Sequence, residues 1–131
     1  MATNKERKNQ LVKWANEVIQ DTPKVCKNGV IESESFNGQI AAFSVSVALS
    51  GLKPAMAIYY SNTGNSSIDK SLIIEMLSKM YGKEYAVKNK EEFFKMVIEA
   101  VGEKEQTLRT KIIEYAIALK LAIRTFKFKK S

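Results

Sequence analysis

The segment spanning residues 36–62 constrains the fold most, because it is long, apolar and almost free of charge. Between Glu34 and Asp69 the only charged side chain is Lys53. A helix that is apolar around most of its circumference is normally buried. Large apolar side chains recur at helical spacing in two rows, namely Phe36, Ile40, Phe43 and Val47, and Ala42, Val45, Leu49 and Leu52. The other elements are therefore expected to pack around this segment.

Two residues interrupt this apolar run. Gly51 and Pro54 lie close together, and proline lacks a backbone donor and disfavours helix at the residue before it. The segment therefore predicts two buried helices, over about 36–50 and about 54–62, joined by a short kink.

Apolar residues spaced by three and four predict further helices on both sides of this pair. The predicted ranges are 4–21, a short piece at 23–28 opened by Thr22-Pro23, 69–81, a segment from Asn89 that ends at Gly102, and 104–127. The composition of residues 63–67 predicts a loop. The whole chain, 1–131, is thus expected to form a single all-α domain, a compact bundle of about six helices around the buried, kinked central pair.

The composition excludes several kinds of chemistry. The chain has no histidine and one cysteine, Cys26. A Ser-His-Asp triad, a Cys-His pair, a Cys/His zinc site and an intrachain disulfide are therefore excluded. The neighbouring acids Glu32 and Glu34, and Glu91 and Glu92, are not arranged as a metal cage. We expect a protein that is not an enzyme and that binds no metal and no cofactor.

Two local features have both a functional and a structural interpretation. Lys24 and Lys27 flank Cys26, and such cations lower a thiol pKa. Without a histidine base, an inert buried thiol is the better interpretation. The pair Tyr59-Tyr60 has rings that can stack on bases. Aromatic side chains more commonly close a core, so we expect these rings to be buried.

Neither a membrane span nor a secretory leader is expected. Lys53 and Pro54 interrupt the apolar stretch that would have to cross the bilayer. The polar and basic residues 1–8 lack the continuous apolar core of a signal peptide. The sequence therefore predicts a cytoplasmic protein.

The charge balance favours a polyanionic partner. Lys and Arg number 21 against 14 Asp and Glu, a formal net charge of +7. Such an excess attracts phosphates, although it also serves solubility. Lys53 has a bland interpretation as well, since a lysine at the corner of a kink can simply extend into water. The candidate phosphate contacts are Lys24, Lys27, Lys53, Arg109, Lys120, Arg124 and Lys127.

Three stretches carry a resemblance to a known family. The segment 50–62, Ser-Gly-Leu-Lys-Pro-Ala-Met-Ala-Ile-Tyr-Tyr-Ser-Asn, the helix 43–49 before it, and the apolar run 114–126 that ends in basic and aromatic residues are similar to the small subunit of type III-B CRISPR effector (Cmr) complexes. The chain length and the predicted helices fit the same family. The small subunit of the related type III-A complexes is the alternative within this resemblance.

The resemblance implies a structural role in antiviral defence. Copies of such a subunit stack along the guide/target RNA duplex beside other effector subunits and hold the target strand by its phosphates. RNA, other CRISPR effector subunits and further copies of the chain are the implied partners. Two rivals remain open: a helical protein–protein adaptor without RNA binding, and an enzyme, which the absence of histidine disfavours.

Overall fold

The computed structural model describes residues 4–62 and 68–130, which contain six α-helices and three short β-strands. The helices are α1 (Asn4–Gln20), α2 (Ser35–Ser50), α3 (Leu52–Ser61), α4 (Ser71–Gly82), α5 (Lys90–Glu99) and α6 (Gly102–Ile123). The strands are β1 (Cys26–Lys27), β2 (Val30–Ile31) and β3 (Lys127–Phe128). The predicted all-α bundle is confirmed. The predicted loop at 63–67 lies outside the described residues.

The central pair, α2 and α3, is confirmed with its kink at Gly51. Gly51 has φ 95° and ψ 163°, a conformation that side chains resist, and its N–H donates to the Val47 carbonyl at 3.0 Å. Pro54 lies in the first turn of α3, where the missing N–H costs little. The sharp change of direction at one glycine thus separates the two helices.

The inner row of α2 is buried as predicted, but its outer row is not. Phe36, Ile40 and Phe43 are almost inaccessible, whereas Val45 is 55% exposed and Leu49 is 82% exposed. The prediction that α2 is buried around most of its circumference is therefore wrong. The reason is that α3, α4 and α6 pack against α2 and leave one side uncovered.

Helix α6 is the longest element, and α1, α2 and α4 pack against it. Tyr115 and Leu119 of α6 are fully buried, together with Phe93 of α5. The core is continuous from α1 to α6 through these side chains. Among the described residues, no helix is both long enough and apolar enough to cross a membrane.

Two predicted boundaries are wrong for reasons of local geometry. Residues 23–28 form a turn and the strand β1 instead of a short helix. Gly102 begins α6 instead of ending the preceding helix, which stops at Glu99. At Gly102 the backbone has φ 62°, so this glycine turns the chain between the two helices.

The last helix also ends earlier than predicted. It stops at Ile123, and the residues up to Phe126 form a turn. Lys127 therefore lies on β3 and not on the helix. This correction changes the surroundings of one predicted phosphate contact.

The kink glycine gives a first testable prediction. Gly51→Ala should lower the free energy of unfolding by about 1–3 kcal/mol, because alanine is strained at that backbone conformation. Gly38→Ala is the matched control: Gly38 is an exposed residue of α2 with open space around its Cα, so alanine there should stabilise by about 0.5–1 kcal/mol. Urea unfolding of both variants tests this, and equal effects would contradict it.

Candidate nucleic-acid interface

A small sheet joins two distant parts of the chain. Strands β1 and β2 pair antiparallel around the turn Asn28-Gly29, and β2 pairs with β3 in parallel. Cys26 faces Ile31, which faces Phe128. Cys26 and Ile31 are buried and Phe128 is half-buried, so this row points toward the core.

The other row of the sheet points outward and carries the basic residues. Lys27 pairs with Val30, and Val30 pairs with Lys127. Because neighbouring strands lie about 4.8 Å apart, the two lysine backbones are roughly 10 Å apart. The Lys129 N–H donates to the Ile31 carbonyl at 2.8 Å, and the strand alternation places Lys129 on the same side as Lys127. We refer to Lys27, Lys127 and Lys129 as the basic sheet face.

Two of these three cations are not neutralised within the described residues. Lys129 lies 3.7 Å from a carboxylate oxygen of Glu32. Lys27 and Lys127 are both exposed and have no carboxylate partner among residues 4–62 and 68–130. The basic sheet face therefore presents two adjacent, uncompensated ammonium groups to solvent.

Two more predicted residues lie close to the sheet along the chain. Lys24 precedes β1 in the turn, and Arg124 precedes β3 directly after α6; both are exposed. Like the two free lysines of the sheet, neither has an ion-pair partner in the part of the chain that the structure describes. These residues extend the positive charge around the basic sheet face.

The predicted residues on α6 are more spread out. Arg109 and Lys120 are separated by about three helical turns, which places them on the same side but about 16 Å apart along the axis. Both are half-buried. Arg124 lies one turn beyond Lys120, so the row on α6 leads toward the sheet.

Lys53 is the predicted residue whose charge is compensated. Its Nζ lies 3.7 Å from an oxygen of Glu105, in the first turn of α6. This pair ties the kink between α2 and α3 to α6. Lys53 as an RNA contact stays a prediction, and the structure does not bring it into the basic sheet face.

Sequence reasoning did not include Lys129 in the site and did not identify the sheet. Two signals were present. Asn28-Gly29 between apolar residues is a strong sign of a two-residue hairpin. The alternation Phe126-Lys127-Phe128-Lys129 has the period of a strand.

The other candidates from the sequence are structural. Cys26 is buried, and burial raises the pKa of its thiol, so the inert interpretation is confirmed. The Tyr59 ring is buried edge-on against Phe43, with centroids 5.1 Å apart. Tyr60 stacks on Phe94 at 4.0 Å, which occupies one face of its ring. Both tyrosines therefore serve the core.

One buried polar network connects three elements. Glu84, in the turn after α4, accepts hydrogen bonds from Arg7 of α1 and from the hydroxyl of Tyr115. Arg7 also lies 3.2 Å from Glu114, and Lys111 lies 3.8 Å from Glu84. Burial and the bond to Glu84 raise the pKa of Tyr115. Burial alone would raise the pKa of Glu84, but the hydrogen bonds from Arg7 and Tyr115 and the nearby positive charges lower it.

This network predicts an acid sensitivity. Because the folded-state pKa of Glu84 lies below its usual value, the stabilisation is complete above that value and is lost as pH falls through the folded-state pKa. Between about pH 6 and about pH 3, the free energy of unfolding should fall more steeply for wild type than for Glu84→Gln. Chemical unfolding at each pH measures both slopes, and parallel slopes would contradict the prediction.

Comparison with known proteins adds no relative: no family model, no curated protein and no solved structure matches the chain. Among the described residues, no group of three or more Cys, Asp and Glu side chains is placed to hold a metal ion. The basic sheet face is accordingly the feature on which a functional hypothesis can rest.

Proposed function

We propose that this chain is a non-catalytic, RNA-binding structural subunit of a type III-B CRISPR effector complex, which holds RNA by its phosphates. The observation that carries the RNA-binding part is the pair Lys27 and Lys127, held side by side on an exposed sheet face without acidic partners among the described residues. Lysines in such a place contact phosphates and give affinity without base readout. The assignment to the complex rests on the sequence resemblance, and the type III-A small subunit remains the alternative within it.

The charge distribution supports phosphate binding more than simple solubility. Several cations elsewhere are engaged by carboxylates, as in Arg7 with Glu84, Lys79 with Glu75 and Lys83 with Glu17. The cations at the sheet and at the end of α6 are largely left free. Positive charge that is concentrated and uncompensated raises both the rate and the strength of polyanion binding.

A second surface supports assembly with protein neighbours. Helices α2 and α3 expose apolar or small residues and no charged side chain other than Lys53. The largest of these exposed residues are Val45, Leu49 and Ile58. Exposed apolar residues that cluster commonly mark a protein interface. Copies of the chain and other effector subunits are the partners we propose for this surface.

The same surface favours the rival hypothesis of a helical adaptor that binds only protein. An adaptor needs the uncharged faces of α2 and α3 and does not need the basic sheet face. The two hypotheses therefore differ in which surface must remain intact for function.

A salt titration separates the two hypotheses. We expect the purified chain to bind labelled single-stranded RNA with an affinity that falls linearly on a log–log plot against salt, with a slope of about −2 or steeper. An RNA duplex is measured in parallel to identify the preferred form. Affinity no stronger than that of an unrelated protein of equal net charge would contradict RNA binding. Co-purification with CRISPR backbone subunits despite that result would support the adaptor.

A further inference from the structure

The chain contains two described Asn-Gly pairs in opposite environments. Asn28-Gly29 forms the exposed turn between β1 and β2. Asn37-Gly38 lies within the regular backbone of α2. The chemistry open to an Asn-Gly pair depends on that difference.

An asparagine before glycine can lose its side-chain amide without an enzyme. The backbone nitrogen of the glycine attacks the asparagine Cγ, the bond from Cγ to Nδ2 breaks, and ammonia leaves. Water then opens the resulting cyclic imide at either carbonyl, which gives aspartate or isoaspartate. The net change replaces a neutral amide by a carboxylate, with water as the only co-reactant.

The turn at Asn28 suits this reaction. Both residues are exposed, and a Cβ built on Gly29 would meet nothing within 4 Å, so the attack is not sterically hindered. Strands β1 and β2 contribute only two pairs of residues, Cys26 with Ile31 and Lys27 with Val30. A turn held by so few pairs opens at low cost and reaches the geometry of attack.

The helix at Asn37 does not suit it. Helical backbone angles are fixed by the ladder of hydrogen bonds on both sides, and the attack requires the asparagine to leave them. Asn37 is also half-buried within α2. The second pair therefore provides an internal control in the same molecule.

We propose that Asn28 is a site of spontaneous deamidation, which places a negative charge at the tip of the hairpin beside Lys27. An aspartate at this position keeps the turn, since aspartate also tolerates the positive φ of 54° that Asn28 adopts. Isoaspartate lengthens the backbone by one methylene group and breaks the pairing of Lys27 with Val30. Either product weakens the basic sheet face.

The reaction is tested on the intact protein by mass spectrometry. The chain is incubated at mildly alkaline pH and digested, and the peptides that contain Asn28 and Asn37 are followed over time. A synthetic peptide with the sequence of residues 25–31 gives the unstructured rate. We expect the Asn28 peptide to convert within the period of the synthetic peptide while the Asn37 peptide retains its amide. Conversion at Asn37 first, or a stable amide at Asn28, would overturn the proposal.

The effect on binding is a separate readout, which rests on the proposed function. Asn28→Asp should weaken RNA binding by about three-fold at low salt, the effect of one like charge at about 7 Å in water. Asn28→Gly keeps a turn of the same type without an amide and should bind as wild type does.

The two failures are distinguishable. If Asn28→Asp binds normally while charge reversal at Lys27 and Lys127 abolishes binding, the proposed effect of deamidation on RNA binding is overturned. If neither change matters, the proposed RNA site is overturned. The mass measurement still decides whether Asn28 is a deamidation site.

Discussion

The double variant Lys27→Glu/Lys127→Glu should lose at least about a hundred-fold in RNA affinity near 0.1 M salt, with a salt slope shallower by about two. The reason is that both ammonium groups lie on one exposed face and pair with the same residue, Val30. Each substitution removes a phosphate contact and adds a repelling charge. Fluorescence anisotropy with labelled single-stranded RNA measures the affinity.

A matched control separates this local effect from the change in net charge. Lys88→Glu/Lys95→Glu makes the same change at two exposed lysines near α5, which packs against α3 and α4. We expect this control to lose much less affinity than the sheet variant. Circular dichroism should show intact helices in both. Equal losses would mean that RNA is attracted by net charge alone and would contradict the basic sheet face.

The second large effect concerns stability. Glu84→Ala should lower the free energy of unfolding by about 3 kcal/mol, because breaking a buried ion pair leaves its partners unsatisfied. The Glu84 side chain is only 12% exposed. Its loss orphans the hydroxyl of the fully buried Tyr115 and removes a carboxylate from Arg7. Urea unfolding monitored by circular dichroism measures the change.

Glu75→Ala is the control for this variant. Glu75 pairs with Lys79 one turn away on α4, at 3.5 Å and with both side chains partly exposed. Such surface pairs contribute at most about 0.5 kcal/mol. A loss at Glu84 as small as that at Glu75 would show that the network does not hold α1, α4 and α6 together.

The helices were predictable because their signal is local. Apolar side chains at spacings of three and four identified α1, α4 and α6, and Gly51 identified the kink in the central pair. The exposure of Val45 and Leu49 was not predictable, since periodicity shows which residues share a face but not how many neighbours cover the helix. The central segment is apolar on a side that the rest of this chain leaves open.

The candidate site was predictable as a set of residues but not as a surface. The charge excess and the basic groups indicated Lys27 and Lys127. Their proximity depends on the parallel pairing of β2 with β3, which joins residues far apart in the sequence. A pairing of two residues per strand has too little periodicity to be recognised beforehand. The partners of Glu84 were hidden for the same reason, since Arg7 and Tyr115 come from distant helices.

The most direct test of the RNA-binding claim is an NMR titration of the isotope-labelled chain with a short single-stranded RNA, because it identifies the contacted residues. The account predicts that the largest amide shifts fall on 24–30 and 124–129, with smaller ones at the end of α6. The Lys27→Glu/Lys127→Glu variant should lose these shifts. Shifts confined to α2 and α3, or spread evenly over all exposed lysines, would contradict a phosphate-binding surface on the small sheet.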